Sequence, residues 1–190
     1  MEVLPAGIDS LLALGATQSV EVLSTVLITV IGILELDERF TASIGQKITT
    51  LAIACFVKFN GDPVICPHIE DIVRALCKNS ECVAALQERL TPTLVSILNN
   101  EEDSMGGPQG ESLDLLTAIV RASPIPLNNI LIQDAFPAVI HRFNKSEDHT
   151  VLQNSGECLR AFTSVAPAQV IAYRYIFQPI KLVNFVCVNT

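Results

Sequence analysis

Three histidines, six cysteines and a few adjacent acids are the side chains of this 190-residue sequence that could do chemistry. The cysteines are Cys55, Cys66, Cys77, Cys82, Cys158 and Cys187, and no two of them form the C-x-x-C pair of a zinc ribbon or a thioredoxin-type centre. His68 follows Cys66 by two residues and precedes Cys77 by nine, which is not a zinc spacing. His68, His141 and His149 therefore read as surface or half-buried histidines. A Cys–His nucleophile pair would have to be assembled in space, on an inner face shared by distant residues. The adjacent acids Asp37–Glu38 and Glu70–Asp71 do not make an acid–base pair either. Neighbours on a helix diverge by about 100° and do not converge on one substrate. No phosphate-cradling G-x-x-x-x-G-K-[ST], no G-x-G-x-x-G and no G-x-S-x-G occurs. "SMGGPQGES" (Ser104–Ser112) is glycine-rich but lacks a lysine and a preceding strand, so it reads as a loop. No catalytic, cofactor-binding or metal-binding residue is expected.

The charge balance narrows the partners. The formal net charge is −8, and no basic stripe of the kind that tracks a nucleic acid is visible. An acidic surface suits solubility or a basic protein partner. The most apolar run, "VLITVIGIL" (Val26–Leu34), is too short to cross a bilayer and reads as a buried helix. Residues 1–17 hold Glu2 and Asp9 but no Lys or Arg, unlike a secretory leader. The cysteines sit among apolar residues, where a free thiol acts as a small hydrophobe, which fits a reducing compartment.

What must position these side chains is a repeat. "DIVRAL" begins at Asp71, "DLLTAI" at Asp114 and "ECLRAF" at Glu157, each 43 residues after the last. Ile69, Ile72, Val73 and Leu76 lie at i, i+3, i+4 and i+7, one stripe of a helix. Ala75, Ala118 and Ala161 share one position, and one interval earlier stands Gly32. A small residue there would let stacked helices approach closely. The acids Asp71, Asp114 and Glu157 fall off the stripe, on what reads as a solvated face. Arg74 and Arg160 follow two of them at i+3. Ser19, Asp62 and Asp148 recur on the same interval, or twice it, as N-caps, and Pro63 fits the first helical position.

Each interval holds a second helix. The pairs predicted are 19–36 with 41–59, 62–78 with 80–99, 108–122 with 127–143, and 148–165 with the residues after 165. Pro92 in "RLTPTLVSIL" and Pro137 in "DAFPAVIHRF" should bend or break their helices, or mark where a short first turn gives way to the main helix. "SPIPLN" (Ser123–Asn128) is a turn inside the third pair. The fold class is all-α: a HEAT/armadillo-type right-handed α-solenoid of about four helix pairs. Residues 1–170 form the array, with units near 19–61, 62–104, 105–147 and an incomplete 148–170. Residues 171–190 read as an atypical apolar tail, truncated or foreign to the array. One pair cannot bury its own stripe, but stacked pairs can, leaving an extended inner surface. Between the second and third pairs, "NNEEDSMGGPQGE" (Asn99–Glu111) reads as a solvated loop, and its Glu101, Glu102 and Asp103 are the acids that could meet a basic cargo.

Five segments resemble one family. They are "DERFTASIGQKI" (Asp37–Ile48), "FVKFNGDPV" (Phe56–Val64), "RLTPTLVSIL" (Arg89–Leu98), "QDAFPAVI" (Gln133–Ile140) and "LQNSGECLRAFTSV" (Leu152–Val165). In that order they resemble stretches of the importin-β superfamily of nuclear transport receptors, over about residues 20 to 170. The resemblance implies a long HEAT solenoid, no catalysis and no cofactor. It implies partners too: basic protein cargo such as histones and ribosomal proteins, nucleoporins with Phe-Gly repeats, and the small GTPase Ran. The main Ran site is expected outside this stretch. It implies residence in cytoplasm and nucleus, with no nucleic acid bound and no membrane insertion. Cargo would lie on the inner face made by the second helices. The alternative is a HEAT-repeat scaffold for a multi-subunit complex with no part in transport.

Overall fold

In the computed structural model, which describes residue 10 and residues 19–36, 38–100 and 107–177, the predicted stripes are the buried ones. Ile69, Ile72, Val73 and Leu76 are fully buried, as are Leu116 and Ile119 one interval on, and Cys158 and Phe162 after that. Each such aliphatic side chain removed from water is worth about 1.5–3 kcal/mol.

The helices are α1 (Val20–Leu36), α2 (Glu38–Phe59), α3 (Ile65–Leu76), α4 (Ser80–Arg89), α5 (Thr91–Asn99), α6 (Gly107–Ala122), α7 (Phe136–Lys145), α8 (His149–Val165) and α9 (Pro167–Phe177). A wide π-helical turn, Ile130–Ala135, leads into α7. No strand occurs among the described residues. First helices stack in one layer, α1 on α3, α3 on α6 and α6 on α8. Second helices stack in another, α2 on α4, then α5 on the π turn and α7. Each second helix also packs on the first helix of the next unit, as α2 does on α3, α5 on α6 and α7 on α8. This is the two-layered helical array that the period demanded. α9 carries helix past residue 170, where the sequence reading ended the array, and residues 178–190 lie outside the described residues.

Caps set where the units begin. Asp62 Oδ1 accepts from the backbone N–H of Val64 (2.8 Å) and Ile65 (3.1 Å). Asp148 Oδ1 does the same for Thr150 (2.8 Å) and Val151 (3.0 Å). Asn79 and Asn128 serve second helices in the same way, Asn128 Oδ1 taking the Leu131 N–H at 2.9 Å. These bonds satisfy N–H groups that have no partner within the helix. Gly61 precedes Asp62 at φ +83°, a left-handed conformation that a side chain would strain.

Both prolines divide their helices. Pro92 is the second residue of α5, and the chain pivots at Leu90, whose N–H ends α4 on Leu86 O and whose carbonyl starts α5. Pro137 has no N–H for the preceding turn, and Phe136 N–H reaches back five residues to Leu131 O.

The shared small position is only partly what the sequence suggested. Ala75 and Ala161 are buried and Ala118 is half-buried. Gly32 is exposed, and a Cβ built there would meet nothing within 4 Å. Ile28 and Leu36, one turn to either side of it, are exposed as well. Among the described residues α1 has a stacked first helix on one flank only, that of α3. The close approach occurs elsewhere: a Cβ on Gly45 of α2 would lie 2.3 Å from Cys82 Sγ of α4.

Candidate interaction groove

The recurring acids were expected on a solvated face; Asp71 is exposed there, and Glu157 is partly exposed with Arg160 beside it. Arg160 grips Glu157 with two bonds of 2.9 Å. Arg74 pairs most closely with Glu70, and Asp71 stands 4.0 Å away. Asp114 departs from the expectation: it is half-buried, because α8 leans over it. Asn154 Nδ2 on α8 donates to Asp114 Oδ2 at 2.9 Å and to Gly110 O at 3.2 Å.

The cause lies in the repeat. The residue three beyond the acid is Arg74 in one unit and Arg160 in another, but Thr117 in the unit between. Thr117 is 6% exposed and turns its hydroxyl inward, donating to Leu113 O at 2.7 Å. Asp114 thus has no cation one turn ahead on its own helix; the next is Arg121, two turns on. Burial, with the Glu70 and Glu111 carboxylates against the pull of Arg74, pushes its pKa up to about 6.

Where the missing side chain would lie is a groove of about 470 Å³. Asp114 and Arg74 form one end of it, Arg121 and Glu157 the other, and Cys77, Thr117, Ala118 and Ala122 line it between. Arg121 reaches across to Glu157 at 3.4 Å, where Glu157 already holds Arg160. The sequence reading missed this groove, although Thr117 in the Arg register was its signal.

The acids proposed for cargo contact, Glu101, Glu102 and Asp103, lie outside the described residues. The base of their loop is described. Buried Arg142 of α7 donates to the carbonyls of Leu98 and Asn100, and Gln109 Nε2 donates to Asn100 O at 3.4 Å.

His68 and His141 are half-buried and His149 is exposed, while Cys55, Cys66, Cys82 and Cys158 are buried and Cys77 is half-buried. His68 Nε2 lies 2.8 Å from Ser24 Oγ on α1, a link between units. No group of three possible metal ligands occurs among the described residues. Burial raises the thiols of Cys55 and Cys82, and pushes Cys66, Cys77 and Cys158 up to about 12. Thiols so raised are poor nucleophiles at neutral pH. Cys187 lies outside the described residues. No described helix is long and apolar enough to cross a membrane.

No family model matches the chain. It is 38% identical over 171 residues to Importin-9 of Drosophila melanogaster, a match that takes in 90% of the chain. The chain belongs with the importins. A weaker match within that group is Importin subunit beta-5 of Schizosaccharomyces pombe, 28% identical over 142 residues and 72% of the chain. The chain spans 17% and 14% of the lengths of these two importins. The two helical layers described above are those of an all-α HEAT/armadillo-type solenoid.

Proposed function

We propose that the chain is a stretch of a nuclear import receptor that binds basic cargo proteins and carries them through nuclear pores. Its cargo class is histones and ribosomal proteins. Passage depends on weak contacts with nucleoporins, and release on the GTP form of Ran, whose main site lies outside these residues. Such a receptor works between cytoplasm and nucleus, by a curved surface and without catalysis. The array comprises the four units near 19–61, 62–104, 105–147 and 148–170. Cargo lies on the inner face of the second helices, with Glu101, Glu102 and Asp103 at its edge.

The observation that carries this reading is the 38% identity to Importin-9 along 90% of the chain. The net charge of −8 supports it, since opposite potentials steer encounter and favour the right partner.

The test is retention on the immobilised chain from cytosolic and nuclear extract, with and without GTP-loaded Ran. Histones or ribosomal proteins retained, and lost in salt, support a carrier. A kinase or phosphatase subunit retained alone makes the chain a scaffold and overturns the reading.

A further inference from the structure

The groove between α3, α6 and α8 lies beside the one repeat position at which the arginine gives way to a threonine, Thr117. In two units an acid is followed three residues later by an arginine, and in the structure Glu157 and Arg160 show what that arrangement does: the guanidinium folds back and binds the acid through two nitrogens. Thr117 removes the arginine from the middle unit and leaves both the space and the acid. We propose that an arginine of an extended basic segment from a partner protein enters this groove and takes the place the repeat leaves vacant, its guanidinium on Asp114. This rests on the reading of the chain as a carrier of basic proteins for the partner's identity, and it adds a contact on the layer of first helices, apart from the second-helix face proposed for the cargo's main surface.

Three features favour that occupant. The end of the groove at Asp114 has Glu70 and Glu111 nearby and one cation, Arg74, which Glu70 and Asp71 already engage. The far end carries Arg121, so an incoming cation is directed to Asp114 and away from Glu157. Thr117, Ala118 and Ala122 leave room along the middle for the aliphatic stem of an arginine. A planar fork also suits a carboxylate better than the point charge of a lysine.

The experiment is a titration of the isotope-labelled chain with a Gly-Arg-Gly-Arg-Gly peptide, followed by NMR. The neutral isostere with citrulline at both arginines is the control. The expected result is that the Asn154 side-chain amide and the Asp114 and Thr117 backbone amides shift with the arginine peptide and not with citrulline. Asp114→Asn should weaken binding about 10-fold, the scale of one charge-assisted bond. Thr117→Arg, which supplies the repeat's own arginine, should weaken it at least as much. Binding of the peptide to Asp114→Asn within twofold of the parent overturns the proposal, whether or not Thr117→Arg folds. Shifts confined to other residues also overturn it. The two readings fail separately: histones retained by a groove that ignores the peptide leave the carrier, and a responsive groove on a chain that retains no histone leaves the site.

Discussion

Arg142 Nε donates to the carbonyl of Leu98 at 2.8 Å, joining the second helices of two units across 44 residues. The same guanidinium reaches Asn100 O at 2.8 Å. Arg142 is 7% exposed, so these carbonyls, at the negative end of α5, have a buried cation as their partner. Arg142→Ala removes the charged donor from Leu98 O and leaves Asn100 O with the 3.4 Å bond from Gln109. We expect a loss of about 2–4 kcal/mol, since buried acceptors left without a donor cost that much when the donor was charged. Urea denaturation followed by circular dichroism measures it, and a midpoint equal to the parent's would refute the role.

Asp114 predicts a pH dependence. Its pKa is higher in the folded chain, at about 6, than the ordinary carboxylate value. Folding therefore disfavours its charged form, because of burial first and of Glu70 and Glu111 next, with Arg74 opposing. The penalty is present above pH 6 and disappears as pH falls through 6 toward the unfolded value near 4. Asp114→Asn should thus have the higher Tm at pH 7.5, and the gap should close by about pH 4. A gap that is constant with pH would contradict the assignment.

Gly45 and Cys82 should be coupled. Gly45→Ala places a methyl 2.3 Å from the Cys82 sulfur, closer than two such atoms can stand. Helix propensity returns up to about 1 kcal/mol, but overpacking of this kind costs about 1–3 kcal/mol. Removing the sulfur with Cys82→Ala should restore most of the loss. Chemical denaturation of both single variants and the double variant reads the coupling, and strict additivity would rule out the contact.

The cysteines offer a test of burial. Cys66, Cys77 and Cys158 are pushed up to about 12, by burial first and at Cys66 by the Glu111 carboxylate next. At pH 8 they should react with iodoacetamide far more slowly in the native chain than in urea. Mass spectrometry of timed samples gives the rates. Rapid alkylation of Cys158 in the native chain would mean that its position between α6 and α8 is open.

How much of this was legible from the sequence depends on how local the cause is. The stripe Ile69, Ile72, Val73 and Leu76 could be read because helix periodicity is written in adjacent turns. Asp62 and Asp148 were readable as caps because a cap bonds to residues two and three ahead. Pro92 and Pro137 marked the splits because a missing N–H acts within one turn. Gly32 misled, because a small residue allows close approach without requiring it, and nothing described packs on that flank of α1. The burial of Asp114 was hidden, because it depends on Asn154 arriving from 40 residues away. Gln87, which binds Ser123 Oγ at 2.6 Å and the Asn128 side chain at 2.9 Å, was hidden for the same reason. Its partners belong to the next unit, and no local pattern announces them.

Four of the side-chain links between units span nearly a single interval: Ser24 to His68, Leu98 to Arg142, Gly110 to Asn154 and Leu127 to Gln169. A load applied along the stack would consequently be handed from joint to joint, each yielding a little against its own few bonds. Bending would then be spread over the whole row of joints and not concentrated at one seam.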